Sequence, residues 1–377
     1  MNGTAQLSHP LEAAMLDRFP AMLGSVIEAA LAPHPVDRYL ELVDPMITWT
    51  DLRGRVVDVR RDTARTVTLT LAPTRQWSGF RAGQYIQLST VIKGVRHTRC
   101  FSPANAECGP DGFIELTITA HDDGFVSRHL RDHAAIGDVM GLQPATGDFV
   151  LPQRRPEQTV FISGGSGITP VLSMLRTLVA ERHTGSTVFI HYATTPADAV
   201  YADELQAIAA ANPSISVHTV FTRHTDTDGP NGHFSPEHLT ELAPDFARAQ
   251  TFLCGPAGLM DAVREFYTER DLDDALHSEA FTAPSLAPDP DEPVSGTLSF
   301  KSSGRSADND GHTILEQAEA AGLSPEFGCR MGICFSCSAV KKSGCTRNVL
   351  TGDVDTDSDT HIQLCISAPV GDVEIDI

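Results

Sequence analysis

Four cysteines near the end of the chain are spaced for metal chemistry: Cys329-x4-Cys334-x2-Cys337, followed 28 positions later by Cys365. Thiolates are soft donors that suit iron, and a close trio with a distant fourth is a ligand spacing of [2Fe-2S] clusters. The small residues Gly328, Gly332, Ser336 and Ser338 stand among them. They let backbone N–H groups turn toward the cluster sulfurs and stabilise negative charge. Structural zinc usually takes its ligands in two C-x2-C-like pairs, and one such pair is present, so zinc or ordinary thiols fit less well. Cys345 rivals Cys365 as fourth ligand because it lies closer to the trio, but its neighbours Ser343, Gly344, Thr346, Arg347 and Asn348 read as strand and turn. Cys365 is the expected ligand and Cys345 a buried thiol.

A second group of residues suits phosphate and aromatic cofactors. Gly164-Gly165-Ser166-Gly167-Ile168-Thr169-Pro170 follows an apolar run. Its glycines permit a tight turn and close backbone approach to a pyrophosphate, and Pro170 suits a first helical turn. Arg99-Cys100-Phe101-Ser102 offers a guanidinium for a phosphate, a ring to cover a flat cofactor and a hydroxyl for its reactive edge. Gly124-Phe125-Val126-Ser127 opens a helix, whose N-terminus favours anions. Taken alone, each of the last two reads more readily as a turn or cap; their order along one chain gives them weight.

In that order the motifs resemble the ferredoxin-NADP reductase family: Arg99 to Ser102 matches its R-x-Y-S signature, with Phe101 in place of the usual Tyr. The ring keeps stacking and loses the phenol hydrogen bond. The run Ala82-Gly83-Gln84-Tyr85 ahead of it is also family-like, and Gly164 to Pro170 resembles the family's nucleotide segment. The resemblance implies FAD rather than FMN, with Gly124 to Ser127 at the flavin pyrophosphate. It implies that Cys254-Gly255-Pro256 lies near the nicotinamide, and that Glu279 and Phe281 sit near the flavin. Ser102, Cys254 and Glu279 are then the candidate catalytic groups. A small core residue is the plain alternative for Cys254, and a solvated acid for Glu279. The last eighty or so residues resemble plant-type ferredoxins, implying a β-grasp fold that carries one electron.

These residues need three scaffolds. Residues 1–47 carry apolar positions at helical spacing broken by Pro20, Pro33 and Pro35, expected as a helical extension that packs without chemistry. Residues 48–153 alternate with period two between glycine and proline turns, which predicts an antiparallel β-barrel for the flavin. Residues 154–283 alternate strand and helix, which predicts an α/β parallel sheet for the nucleotide. The proline- and acid-rich stretch 284–294 reads as a stiff linker, and 295–377 as an α+β unit carrying the cysteines.

With 377 residues the chain has room for several cores, and a formal charge of -21 opposes nucleic-acid binding. No apolar stretch approaches a membrane span, and no export signal is evident, so a cytoplasmic protein is expected. The reading is an oxidoreductase taking hydride from NADH or NADPH. Electrons then pass through FAD and the cluster to a separate acceptor. The resemblance to reductase components implies that acceptor to be an oxygenase, a hydroxylase or a membrane-bound acyl-CoA desaturase. Asp353, Asp355, Asp357 and Asp359 are candidates to steer it. The loop after the second nucleotide-domain strand, Ala193 to Pro196, holds no basic residue, which favours NADH; Arg223 is the basic group after the next strand. The rival reading is a redox-sensing iron-sulfur flavoprotein that regulates a partner without steady turnover.

Overall fold

The computed structural model describes residues 36–107, 112–121, 124–223, 230–281, 294–328, 330–332 and 335–377. Most of the expected helical extension, the linker stretch 284–293, Cys329 and Cys334 lie outside the described residues. What is described of the extension is a single helical turn, Asp37–Leu40. Buried Asp37 anchors it by accepting bonds from the backbone N–H groups of Trp49, Thr50 and Asp51 and from the Thr50 hydroxyl.

The first sheet contains β1 (Arg53–Thr63), β2 (Thr66–Pro73), β3 (Ile86–Ile92), β4 (Val95–Phe101), β5 (Ile114–Thr119) and β6 (Val139–Leu142). Their order is β4-β3-β6-β1-β2-β5, all antiparallel. An antiparallel bridge from Pro103, just beyond β4, to Leu116 in β5 joins the two edges and closes the sheet. Closure follows from the period-two pattern: Val67, Leu69, Leu71, Ile114, Leu116 and Ile118 all point into one buried core. Helix α1 (Phe125–His133) drops Val126 and Leu130 into the same core.

The second sheet is parallel and ordered β11-β10-β7-β8-β9, from β7 (Gln158–Gly164), β8 (Ser186–Ala193), β9 (Ile215–Phe221), β10 (Gln250–Cys254) and β11 (Leu276–Glu279). It is covered by α2 (Ile168–Ala180), α3 (Ala202–Ala211), α4 (Pro236–Leu242) and α5 (Ala257–Thr268). The chain leaves neighbouring β7 and β10 in opposite directions across the sheet. That topological switch point opens the crevice where doubly wound sheets bind ligands.

Barrel and parallel sheet share a core in which Ala82, Ala104, Phe149 and Leu151 pack with Phe161, Met174, Phe252 and Cys254. A polar clamp spans the same boundary. Arg176 on α2 donates to Glu115 on β5 at 2.6 Å, to the Ala104 carbonyl at 2.7 Å, and bidentately to Glu204 on α3 at 2.7 Å. Its guanidinium lies 4.9 Å from the centre of the Tyr201 ring, whose hydroxyl also donates to Glu115.

The third sheet holds β12 (Thr297–Phe300), β13 (Arg305–Asp308), β14 (Ser338–Asn348), β15 (Val354–Asp355), β16 (Thr360–Gln363) and β17 (Ser367–Asp376). Its path is β13-β12-β17-β14-β15, with β16 beside β14 and the β12/β17 pair parallel. Helix α6 (Ile314–Ala320) crosses it, started by a reciprocal capping box between Thr313 and Glu316.

Candidate functional site

The glycine segment sits where the switch point requires it. Gly164 ends β7, Gly165–Gly167 form a 3-10 turn, and α2 begins at Ile168 with Thr169 and Pro170 in its first turn. Gly165 has φ of +52° with open space where a side chain would stand. Gly167 has none: a Cβ there would lie 2.3 Å from the Cys254 carbonyl oxygen and 2.7 Å from the Gly255 nitrogen. A Cβ on Gly164 would meet Pro256 at 2.9 Å. The two predicted segments, Gly164 to Pro170 and Cys254 to Pro256, are thus packed backbone to backbone. They border a cavity of about 660 Å³ that runs from Gly165, Thr169 and Pro256 to Thr66, Thr117 and Thr119 of the barrel.

Sequence reasoning missed several residues of that cavity. Arg65 enters it from the β1–β2 turn, His233 from beyond β9 and Asp198 from beyond β8, joining Arg223. Asp198 is oriented by the Thr195 hydroxyl, which donates to it at 2.7 Å. No spacing in the chain signals this convergence, because the four positions come from three separate connections, after β1, β8 and β9.

The flavin-type residues follow the strand's alternation. Arg99 and Phe101 fall on one face of β4, opposite Leu88 and Ile86, while Cys100 and Ser102 fall on the other. Phe101 is half-buried against the barrel core. Ser102 is 2% exposed, and its Oγ is buried with no hydrogen-bond partner. At the start of α1, Gly124 is the N-cap and no side chain caps the helix. Val126 goes into the core, so this segment can meet an anion through backbone N–H groups and Ser127. Phe125 stands exposed beside the His97 ring.

Glu279 ends β11 directly beside Cys254 in the parallel ladder. A side chain on Gly147 would touch both Tyr85, at 3.1 Å, and Glu279, at 3.9 Å, so the acid faces the barrel. Its Oε2 is a second buried oxygen without a partner. Burial pushes its carboxyl up to about 8. Cys254 is fully buried, and its thiol is raised well above the usual range by burial and then by Glu279. Phe281, partly buried, packs on the core shared by barrel and parallel sheet. Two orphaned oxygens are costly unless a ligand satisfies them. A flavin, carrying ring nitrogens and carbonyls, has the polar edge they lack.

This acid gives the cofactor-free chain a pH signature. The Glu279 carboxyl keeps its proton up to about 8 when folded, against 4.5 as the ordinary value. The folded chain therefore holds one extra proton between these values, and its stability falls as pH rises through that window. Glu279→Gln should flatten the fall by an amount on the order of 3 kcal/mol. Thermal melts of cofactor-free wild type and variant from pH 5 to 9 will check it; parallel curves would contradict it.

Of the predicted metal ligands, Cys337 and Cys365 are buried and adjacent: the Leu364 N–H donates to the Cys337 carbonyl at 3.1 Å, and Ser338 pairs with Gln363. Gln363 ties the preceding loop by donating to the Gly332 carbonyl at 2.7 Å. Gly332 has φ of +78°, and a Cβ there would strike Ile366 at 2.7 Å, so the loop requires glycine. Cys345 pairs with Val370 much farther along β14. Two buried thiols held beside a glycine-shaped loop fit a thiolate-ligated cluster. The acidic stretch is partly neutralised: Lys341, fully buried, pairs with Asp355 at 3.1 Å, and Lys342 pairs with Asp359 at 3.1 Å. Among the described residues no helix is long and apolar enough to cross a membrane.

A family model described as an oxidoreductase FAD-binding domain matches residues 55–151, and an oxidoreductase NAD-binding domain matches residues 161–265. An NADPH oxidoreductase of Mycobacterium tuberculosis is 34% identical over 367 residues, covering 96% of this chain and 94% of that protein. The glycine betaine monooxygenase reductase subunit of Pseudomonas aeruginosa is 31% identical over 320 residues, covering 79% of this chain and 87% of that one. Phthalate dioxygenase reductase has a solved structure described as a modular structure for electron transfer from pyridine nucleotides to [2Fe-2S]. It covers 87% of this chain and 98% of its own at a TM-score of 0.57 and 24% identity, a likeness of fold. The matched domains coincide with the barrel and with the parallel sheet whose switch point was described above, and the relatives extend the match along nearly the whole length. The chain belongs to the FAD- and NAD-binding oxidoreductases with the ferredoxin-NADP reductase fold, and it is an NAD(P)H oxidoreductase.

Proposed function

We propose that this protein is the reductase component of an oxygenase system, moving electrons from NADPH through FAD and a C-terminal [2Fe-2S] cluster to an iron-dependent oxygenase or hydroxylase. A desaturase is a further acceptor of the same chemistry. The observation that carries the reading is the adjacency of buried Cys337 and Cys365 on the same chain as the nucleotide cleft. The relative in Pseudomonas aeruginosa, named as the reductase subunit of a monooxygenase, supports the acceptor class. On this reading residues 295–377 are a β-grasp ferredoxin unit, and Cys329 and Cys334 complete the ligand set.

The residues divide the work. Backbone N–H groups of Gly164 to Thr169 hold the nucleotide pyrophosphate, while Cys254 and the barrel edge confine the nicotinamide. Ser102 and neutral Glu279 face the flavin with the two oxygens left unpartnered, and can donate hydrogen bonds because both hold a proton at neutral pH. When bound, a flavin supplies the step from two-electron hydride chemistry to single-electron transfer. Arg99 and the α1 N-terminus hold the flavin phosphates. The shared core and the Arg176 clamp keep the two domains in register, so hydride donor and acceptor meet without water between them.

Purified anaerobically, the protein should be brown-yellow and contain iron, acid-labile sulfide and FAD. NADPH should bleach the flavin and generate the rhombic EPR signal of a reduced [2Fe-2S] centre. Colourless protein, or protein without labile sulfide, would sink the reading.

The lining of the cavity supports NADPH as the nucleotide. The absence of basic residues after β8 favoured NADH, but the fold brings Arg65 and Arg223 into the cleft together with Asp198. Two guanidiniums suit a 2'-phosphate, consistent with the name of the Mycobacterium relative. Arg223→Ala is expected to lower kcat/KM for NADPH about 10- to 100-fold, the worth of one charge-assisted hydrogen bond, and to leave NADH within about twofold. Equal losses for both nucleotides would reject this role.

A further inference from the structure

The cysteine-bearing loop bears directly on the flavin motif. The Phe327 ring carries two guanidiniums, with the Arg330 Cζ 4.1 Å from its centroid and the Arg99 Cζ 4.9 Å. Arg99 also donates from Nη1 to the Phe327 carbonyl at 3.4 Å and to the Thr98 carbonyl at 2.7 Å. On the far side Arg330 is held by Glu319 of α6 at 2.5 Å. Arg330 has φ of +57°, so the backbone there adopts a left-handed turn. Phe327 stands two residues before Cys329, Arg330 directly follows it, and Arg99 opens the Arg99–Ser102 motif. A continuous chain of contacts therefore runs from α6 through the cysteine loop to β4.

A ring shared by two cations is a directional joint. Each guanidinium is attracted to the negative face of the ring, and the ring ties the two arginines together. An aliphatic residue of similar size fills the space without that attraction. The two positive charges repel one another, and the anion expected at Arg99 relieves that repulsion, so a filled flavin site favours the docked loop.

We propose that Phe327 is a positioning residue for internal electron transfer: held by Arg99 and Arg330, it seats the cysteine loop on the flavin-bearing strand and sets the distance the electron must cross. The inference rests on the proposed function above. In that scheme NADPH gives up a hydride, and its two electrons leave one at a time through the cluster to two equivalents of a one-electron acceptor. NADP+ and one proton are released, and no other bond is made or broken. Electron transfer between separated centres weakens exponentially with distance, so slip of this joint slows cluster reduction and leaves hydride transfer untouched.

The test uses the full-length protein as isolated, comparing wild type with Phe327→Leu and Phe327→Tyr. Anaerobic rapid mixing with NADPH should show flavin bleaching within twofold of wild type in both variants. Freeze-quench EPR should show cluster reduction slowed tenfold or more in Phe327→Leu and restored to within threefold in Phe327→Tyr. Iron and labile-sulfide content confirms that each variant is loaded. Independently of turnover, hydrogen exchange should rise in Phe327→Leu over residues 95–101 and 323–328 together, and stay at the wild-type level in Phe327→Tyr. Cluster reduction unchanged in Phe327→Leu, or exchange that rises in the C-terminal segment alone, overturns the proposal. If wild type lacks a cluster, the functional reading fails by itself, and the exchange experiment still decides whether Phe327 joins the two units.

Discussion

On the proposed ligand set, Cys365→Ser is expected to lower NADPH-dependent reduction of cytochrome c by about 100-fold or more, since it removes a soft thiolate donor. Ferricyanide, small enough to take electrons at the flavin, should still be reduced at rates near wild type. Cys365 is 4% exposed and its neighbour Leu364 donates its N–H to the Cys337 carbonyl, which supports the proposal that the two thiols share one site. Cys345→Ser is the matched control. It lies eight positions along β14 from Cys337, roughly 25 Å at strand rise, beyond reach of a shared cluster. Absorbance, labile sulfide and the two acceptor assays check both variants. A Cys365→Ser protein that keeps its sulfide, or a Cys345→Ser protein that loses it, would overturn the assignment.

Arg176→Met should destabilise the protein by about 3–5 kcal/mol, the cost of removing one partner from a buried ion pair. The methionine keeps most of the volume but takes the 2.6 Å cation from Glu115, whose carboxylate is 17% exposed and keeps only the Tyr201 hydroxyl and the half-exposed Arg60 guanidinium at 3.7 Å. It also leaves the Ala104 carbonyl without its donor. Glu204→Gln is the milder comparison. Glu204 is 37% exposed, so water replaces much of what is lost and a change of about 1 kcal/mol or less is expected. Urea unfolding separates the outcomes: equal shifts for the two variants would mean that the clamp acts as a surface pair. Because the clamp joins barrel to parallel sheet, Arg176→Met should also raise the KM for NADPH, whose cavity draws on both.

What could be read from the chain alone was whatever short-range chemistry dictates. The glycine segment before α2 was legible as a tight turn, and the structure shows Gly167 without room for a Cβ because the Cys254 and Gly255 backbone packs against it. The barrel and parallel sheet were legible because period-two and strand-helix alternation are local consequences of which face is buried. The cysteine spacing carries its proposed chemistry in the same way, through ligand type and separation. Tertiary structure alone decided which distant groups meet. Arg176 and Glu115 are 61 positions apart, and Arg99 and Phe327 are 228 apart. Arg65, Asp198 and Arg223 share a cavity only because the barrel turn and two strand ends converge on it. Burial is likewise collective: without the family resemblance Glu279 reads as a solvated acid, and it becomes a proton-holding group only when the closed core removes its water. Such pairings depend on how whole elements stack, a property no window of neighbouring residues contains.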